Sequence, residues 1–199
     1  MRRSHALSFS SALSRCLPQM MLLLMVGAAP LAHADSFDFA RLMQLLADAP
    51  ASEVAYTEKK YSSLLAKPIL SSGTLAYRRP DTVEKTTLAP RQETFRITGE
   101  ELIVIRNGVE RRIALASQPL LEAFAASLRG VLAGNISLLR AYYRLSLEGE
   151  EQAWRLVLIP NEEEMGRHVE RILVSGRAGR IVQIEVRESS GDRSIMQIR

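Results

Sequence analysis

Most of this chain alternates. From "SEVAYTEKKYSS" (52–63) onward, apolar and polar residues exchange places at nearly every position, through "GTLAYRR", "TVEKTTLA", "QETFRIT", "ELIVIR" and "VERRIALA". A period of two is the mark of a strand with one face buried. The breaks fall at Gly, Pro and Asn, and Asn107-Gly108, between "IVIR" and "VERR", is the dipeptide that a two-residue hairpin turn prefers. Alternation resumes later in "RLSLEG", "AWRLVLIP", "HVERILVSG", "RIVQIEVRE" and "RSIMQIR", with "SGRAGR" and "ESSGDR" as turns between the last three, for about eleven predicted strands in all.

Three stretches follow a helical period instead. "SFDFARLMQLLADAP" sets Phe39, Leu42, Met43 and Leu46 at i, i+3, i+4, i+7, with Ser36 placed to cap the helix, Asp38 suited to its first turn and Pro50 to stop it. "SQPLLEAFAASLRGVLAG" repeats Leu121, Phe124, Ala125, Leu128 and Leu132, which predicts a helix from Ser117 as cap to Ala133, with Gly134 as the stop. "NISLLRAYY" predicts a third, shorter piece. A long run of antiparallel strands must curl over its own apolar face, and the helices need the same face for their apolar stripes. The expected fold is therefore mainly β with α: a single-domain, half-open antiparallel β-barrel whose helices cover the mouth as a lid. If the interior side chains do not fill it, it encloses an apolar cavity.

Composition changes this picture only after the first 34 residues are set aside. They carry Arg2, Arg3 and Arg15 ahead of an apolar core around Met20 to Ala29, then Ala32 and Ala34. That is the layout of a secretory signal cut after Ala34, leaving 35–199 as one domain of 165 residues in the periplasm. Cys16 precedes the apolar core, so it is not a lipid-modified cysteine, and its loss leaves a mature chain with no thiol for a disulfide, nucleophile or metal. Three of the 26 basic residues and none of the 22 acidic ones leave with the signal, so the net charge falls from +4 to +1. A nucleic-acid partner loses its main support.

Catalysis finds equally little. His168 is the one histidine left, no Gly-x-Ser-x-Gly elbow is present, and neither a metal site nor a cofactor is expected. The run "NEEE" (161–164) reads as a solvated loop, with an acidic contact for a basic partner as the alternative; its acids lack the spacing of a calcium loop.

The segment "GTLAYRRPD" (73–81) puts Leu75, Tyr77 and Arg79 on one face, with Arg78 on the other and solvated by default. Pro80 biases Arg79 toward an extended conformation, which keeps it on the apolar face near the rim. From residues alone, Arg79 either lays its stem along the wall with its head in water or bonds carbonyls of the lid. The predicted central helix likewise either lines a cavity through Leu121, Phe124, Leu128 and Leu132 as a movable lid, or plugs the barrel permanently.

"GTLAYRRPD" followed by "TLAP", then "LVLIPNEEE", the closing "ILVSGRAGRIVQIEVRESSGDRSIMQI" and the early "VAYTEKKYSSLL" resemble the periplasmic outer-membrane lipoprotein carrier family, the LolA-like proteins. The resemblance implies an unclosed β-barrel with a helical lid. It also implies a monomeric shuttle that takes acylated cargo from an inner-membrane transporter, shields the acyl chains and hands them to an outer-membrane receptor, and it implies Arg79 as the residue that holds the lid. The chain departs from the family pattern in being poor in aromatics, with Trp154 its one Trp, and in lacking the usual strand and short helix after Arg199. The same cavity would equally serve a non-protein amphiphile such as a free lipid, a glycolipid or a lipophilic pigment ester.

Overall fold

The computed structural model describes residues 37–199 apart from Ala51, and Phe37–Arg199 form one compact unit. The predicted signal segment, its cut after Ala34, Cys16 and the capping Ser36 lie outside the described residues. The chain runs α1 (Phe39–Asp48), β1 (Ser52–Tyr61), β2 (Ile69–Arg78), β3 (Thr82–Ala89), β4 (Glu93–Thr98), β5 (Glu101–Arg106) and β6 (Val109–Ala114). A single 3₁₀ turn then leads to α2 (Pro119–Leu132) and α3 (Ile136–Tyr142), followed by β7 (Tyr143–Glu150), β8 (Ala153–Pro160), α4 (Glu163–Gly166), β9 (Val169–Arg177), β10 (Arg180–Glu188) and β11 (Arg193–Ile198).

All eleven strands belong to one antiparallel sheet in the order β6-β5-β4-β3-β2-β1-β11-β10-β9-β8-β7. Two meanders, one from each half of the chain, meet where β1 pairs with β11, with Tyr56 opposite Ile198 and Tyr61 opposite Arg193. β6 and β7 pair on one side only, so the barrel is not closed. At Asn107 and Gly108 φ is 51° and 76°, as the mirror-image two-residue turn between β5 and β6 requires.

One face of the sheet carries the core. Trp154, Leu156 and Leu158 of β8 and Ile172 and Val174 of β9, spaced two apart along their strands, share this face and cluster with Leu42, Met43 and Leu46 of α1. The first cluster also takes in Ala123 and Val131 of α2, Leu139 of α3 and, half-buried, Leu120 and Phe124. A second cluster joins Ile97, Leu102, Leu115 and Ala125, with Leu121 and Leu128 of α2 and Phe95, Val104 and Ile113 of the sheet packed against it. Opposite sides of α2 thus touch opposite wings of the sheet, which curls around the helix.

The capping residues differ from expectation. Asp38 is the N-cap of α1, its Oδ1 accepting from Arg41 N at 2.9 Å. Ser117 does not cap α2: it lies in the preceding 3₁₀ turn and its Oγ donates to Ala114 O at 2.7 Å, while Pro119 opens the helix and fixes its first φ. The "NEEE" run is not a plain loop either. Glu163 and Glu164 open the single turn of α4, which forms because Met165 is drawn into the core.

Where α3 passes into β7, Tyr143 is 1% exposed and its Oη donates to Ala123 O at 3.0 Å. Burial pushes its phenol up to about 12. A tyrosine titration should therefore show this group ionising well above the ordinary phenol range. Between about pH 10 and 12 the unfolded chain releases a proton that the folded one keeps, so stability should fall with rising pH by about 1.4 kcal/mol per unit. Tyr143→Phe should remove that slope in urea melts across the window.

Candidate functional site

The central strands form the floor beneath α2. On the face that bears the core, register places Val54 of β1 opposite Leu75 of β2, and Met196 and Ile198 of β11 beside Ile184 of β10 and Tyr56 of β1. Val54, Leu75, Met196 and Ile198 are half-buried and lie outside both hydrophobic clusters. The wings are thus packed against the helix while the middle of the concave face keeps accessible apolar surface. Only Leu75 among these is an expected lining residue; alternation gives the other three an inward face, and the β1–β11 pairing brings them together.

The floor has a polar boundary. Glu58, two residues along β1 from Tyr56, accepts from Lys85 Nζ at 2.6 Å and from Ser71 Oγ at 3.2 Å. The Lys85 ammonium lies 5.1 Å from the Tyr56 ring centroid, and the Tyr56 hydroxyl is 2.7 Å from Thr87 Oγ1. Pairing Tyr56 with Gly73 and Gly73 with Thr87 puts these groups on the floor face. Apolar surface thus gives way to a hydrogen-bonded charge pair toward the β1–β2 turn.

At the opposite end stands Arg79. Tyr77 is buried and its Oη donates to Pro80 O at 3.0 Å, which folds the chain back over the ring and brings the Arg79 guanidinium to 5.7 Å from the ring centroid. Arg79 Nη2 donates to the carbonyls of Ala47 and, at 2.7 Å, Ala49. These close the C-terminus of α1, where carbonyls lack intrahelical partners and carry the negative end of the helix dipole. The acceptors therefore belong to α1 rather than to the central helix. Arg78, on the other face, is exposed and 3.8 Å from Glu84.

α1 is held along its length. Gly134, with φ +64°, comes so close that a Cβ there would stand 2.1 Å from Met43 O, and one on Gly179 would stand 2.4 Å from Leu45 O. Arg41 Nε reaches Glu151 Oε2 at 2.9 Å in the β7–β8 turn. The helix thus spans from the end of β2 to the turns of β7–β8 and β9–β10.

The lining residues expected on α2 are divided. Leu121 and Leu128 face the β4–β6 wing, whereas Phe124 faces the β8–β10 wing, where it lines a hollow of about 340 Å³ with Leu120, Val169, Val186, His168 and Glu188. Leu132 is half-buried in neither cluster. Ser127 is buried within α2 and donates to Phe124 O, while His168 is exposed. Among the described residues no group of His, Cys, Asp or Glu is placed to hold a metal ion, and no helix is long and apolar enough to cross a membrane. The arrangement offers apolar area, one charge pair and a helix fastened by a guanidinium.

The profile of the family described as outer membrane lipoprotein carrier protein LolA-like matches residues 31–197. No curated protein sequence matches the chain. Among solved structures, a LolA superfamily protein from Nitrosomonas europaea is 15% identical, with a TM-score of 0.44 over 83% of this chain and 92% of its own. The Mycobacterium tuberculosis lipoprotein LppX is 9% identical, with a TM-score of 0.40 over 81% and 93%. In the Pseudomonas aeruginosa MucA/MucB complex the matching chain is 15% identical, with a TM-score of 0.44 over 81% of this chain and 56% of that one.

Proposed function

Because the chain belongs to the outer membrane lipoprotein carrier protein LolA-like family, we propose that it is a periplasmic carrier that shields lipoprotein acyl chains on their way from an inner-membrane transporter to an outer-membrane receptor. The observation that carries this reading is the accessible apolar floor of Val54, Leu75, Met196 and Ile198, together with α1 fastened by Arg79. An acyl chain laid on that floor contributes about 0.8 kcal/mol per buried CH₂. A dozen methylenes would offer roughly 10 kcal/mol before the cost of ordering the chain. The two Arg79 bonds are worth about 1.5–3 kcal/mol each at most, less for an exposed guanidinium. Cargo can therefore displace the latch, and the latch re-forming favours release.

A second reading, carriage of a small amphiphile, is favoured by the Glu58–Lys85 pair, since a head group could replace one partner while its tail covers the floor. Native mass spectrometry of the protein purified from its own host separates the two. An acylated polypeptide supports the first, a bound small amphiphile the second, and an empty chain from a lipoprotein-exporting cell would count against both. Arg79→Leu should fold normally, because the side chain is exposed, yet retain cargo and pass it to a receptor about tenfold more slowly. Wild-type transfer by that variant would remove the latch from the mechanism.

A further inference from the structure

We propose that the β1–β2 hairpin tip is a membrane-contacting element that seats in the head-group region of an anionic lipid bilayer. The large hydrophobic side chains exposed on the described residues are unevenly placed. Leu64 is 90% exposed, Leu70 60% and Leu65 and Ile69 47% each, all in or beside this turn. Leu88 follows on the next strand, at the β2–β3 bulge, and Val109 opens β6. In an antiparallel sheet these positions share one end, the end away from α1 and Arg79. Scattered exposed leucines need no explanation, but an apolar cluster gathered at one end does.

The tip is built. Leu65 N donates to Ser62 O at 3.1 Å, Leu64 N to Ser62 Oγ at 3.4 Å, and Ser63 N to Asp192 Oδ1 at 3.0 Å. Asp192, in the β10–β11 turn, is engaged by those serines, which hold its carboxyl below the usual range. Leu64 is therefore held out by a hydrogen-bonded turn.

Charge selects the surface it meets. Lys59, Lys67 and Arg91 surround the apolar side chains, are exposed, and have no acidic partner among the described residues. Glu58 is turned inward to Lys85, and Glu188 is paired with Lys60 at 3.2 Å. Apolar side chains ringed by unpaired cations match the acyl boundary and phosphates of an anionic bilayer. The proposal stands on the hairpin and does not depend on the carrier reading.

Flotation of the host-processed protein with vesicles of phosphatidylglycerol and phosphatidylethanolamine at 1:3, against pure phosphatidylcholine, tests it. The protein should float with the anionic vesicles, and Leu64→Asp with Leu65→Asp should reduce the bound fraction about tenfold. Lys67→Glu with Arg91→Glu should weaken binding and flatten its salt dependence. Leu64→Trp should shift its emission to the blue on adding vesicles, against a constant background from buried Trp154. Failure of the wild type to float, equal flotation of the Leu64/Leu65 variant, or unchanged emission would each overturn the proposal; the first would leave the tip to a protein partner.

Discussion

Replacing Trp154 with Ala should cost about 3–5 kcal/mol of unfolding free energy, the largest loss expected from any single side chain here. Trp154 is 2% exposed and heads the first cluster. Its Nε1 donates to Ala178 O at 2.8 Å, so truncation also orphans a carbonyl in the β9–β10 turn. Gly176 lies directly against the indole: a Cβ there would come within 2.3 Å of Cζ2. Register pairs these two residues, so a strand has given up its side chain to admit the ring. Urea melts followed by far-UV circular dichroism, rather than by the fluorescence of the lost Trp, are the measurement. A loss below about 1.5 kcal/mol would mean that the wing closes over the gap, contrary to the close packing that the indole meets.

Gly134→Val should detach α1 while leaving the sheet. The position combines φ +64° with a Cβ site 2.1 Å from Met43 O and 2.9 Å from Ala47 Cβ, so neither the turn nor the helix can keep its place. Left-handed strain alone costs about 1 kcal/mol, and expulsion of the helix adds the exposure of Leu42, Met43 and Leu46 at about 1.5–3 kcal/mol each, for roughly 5–10 kcal/mol together. Hydrogen exchange should rise across α1 and stay low in β8 and β9. Adding Arg79→Leu should change α1 exchange no further, because the acceptors at Ala47 and Ala49 will already have left. Protected α1 amides in Gly134→Val would show that the turn yields instead of the helix.

The strands were legible because their information is local. β3, β5, β8 and β10 begin and end where alternation and turn residues place them, and Asn107-Gly108 forms the expected turn. β2 starts at Ile69, four residues ahead of "GTLAYRR", because Ser71 and Ser72 read as loop yet pair with Glu58 and Thr57. α4 was hidden because one buried Met165 decides it, not the acids around it. The Arg79 site was half legible. Its place at the rim follows from the end of the strand and Pro80, but Arg79 lies one residue past β2, in the turn, and its acceptors are backbone carbonyls, which every residue has, some thirty positions away. Nothing local distinguishes Ala47 from its neighbours. The floor was hidden for a similar reason: alternation gives Val54, Met196 and Ile198 a common face with their neighbours, but only the β1–β11 pairing brings them to one place.

A sheet closed into a ring has its bore fixed by strand number and stagger, and can widen only by breaking ladder hydrogen bonds. Here β6 and β7 each end the sheet, and no ladder joins them. The circumference is therefore an arc, and the distance between its wings is set by what α2 presents to each, Leu121 and Leu128 on one side and Leu120 and Phe124 on the other. Such a vessel can change volume by rolling side chains over one helix while every rung of the ladder stays intact, and its gauge is tuned by residue size at four positions.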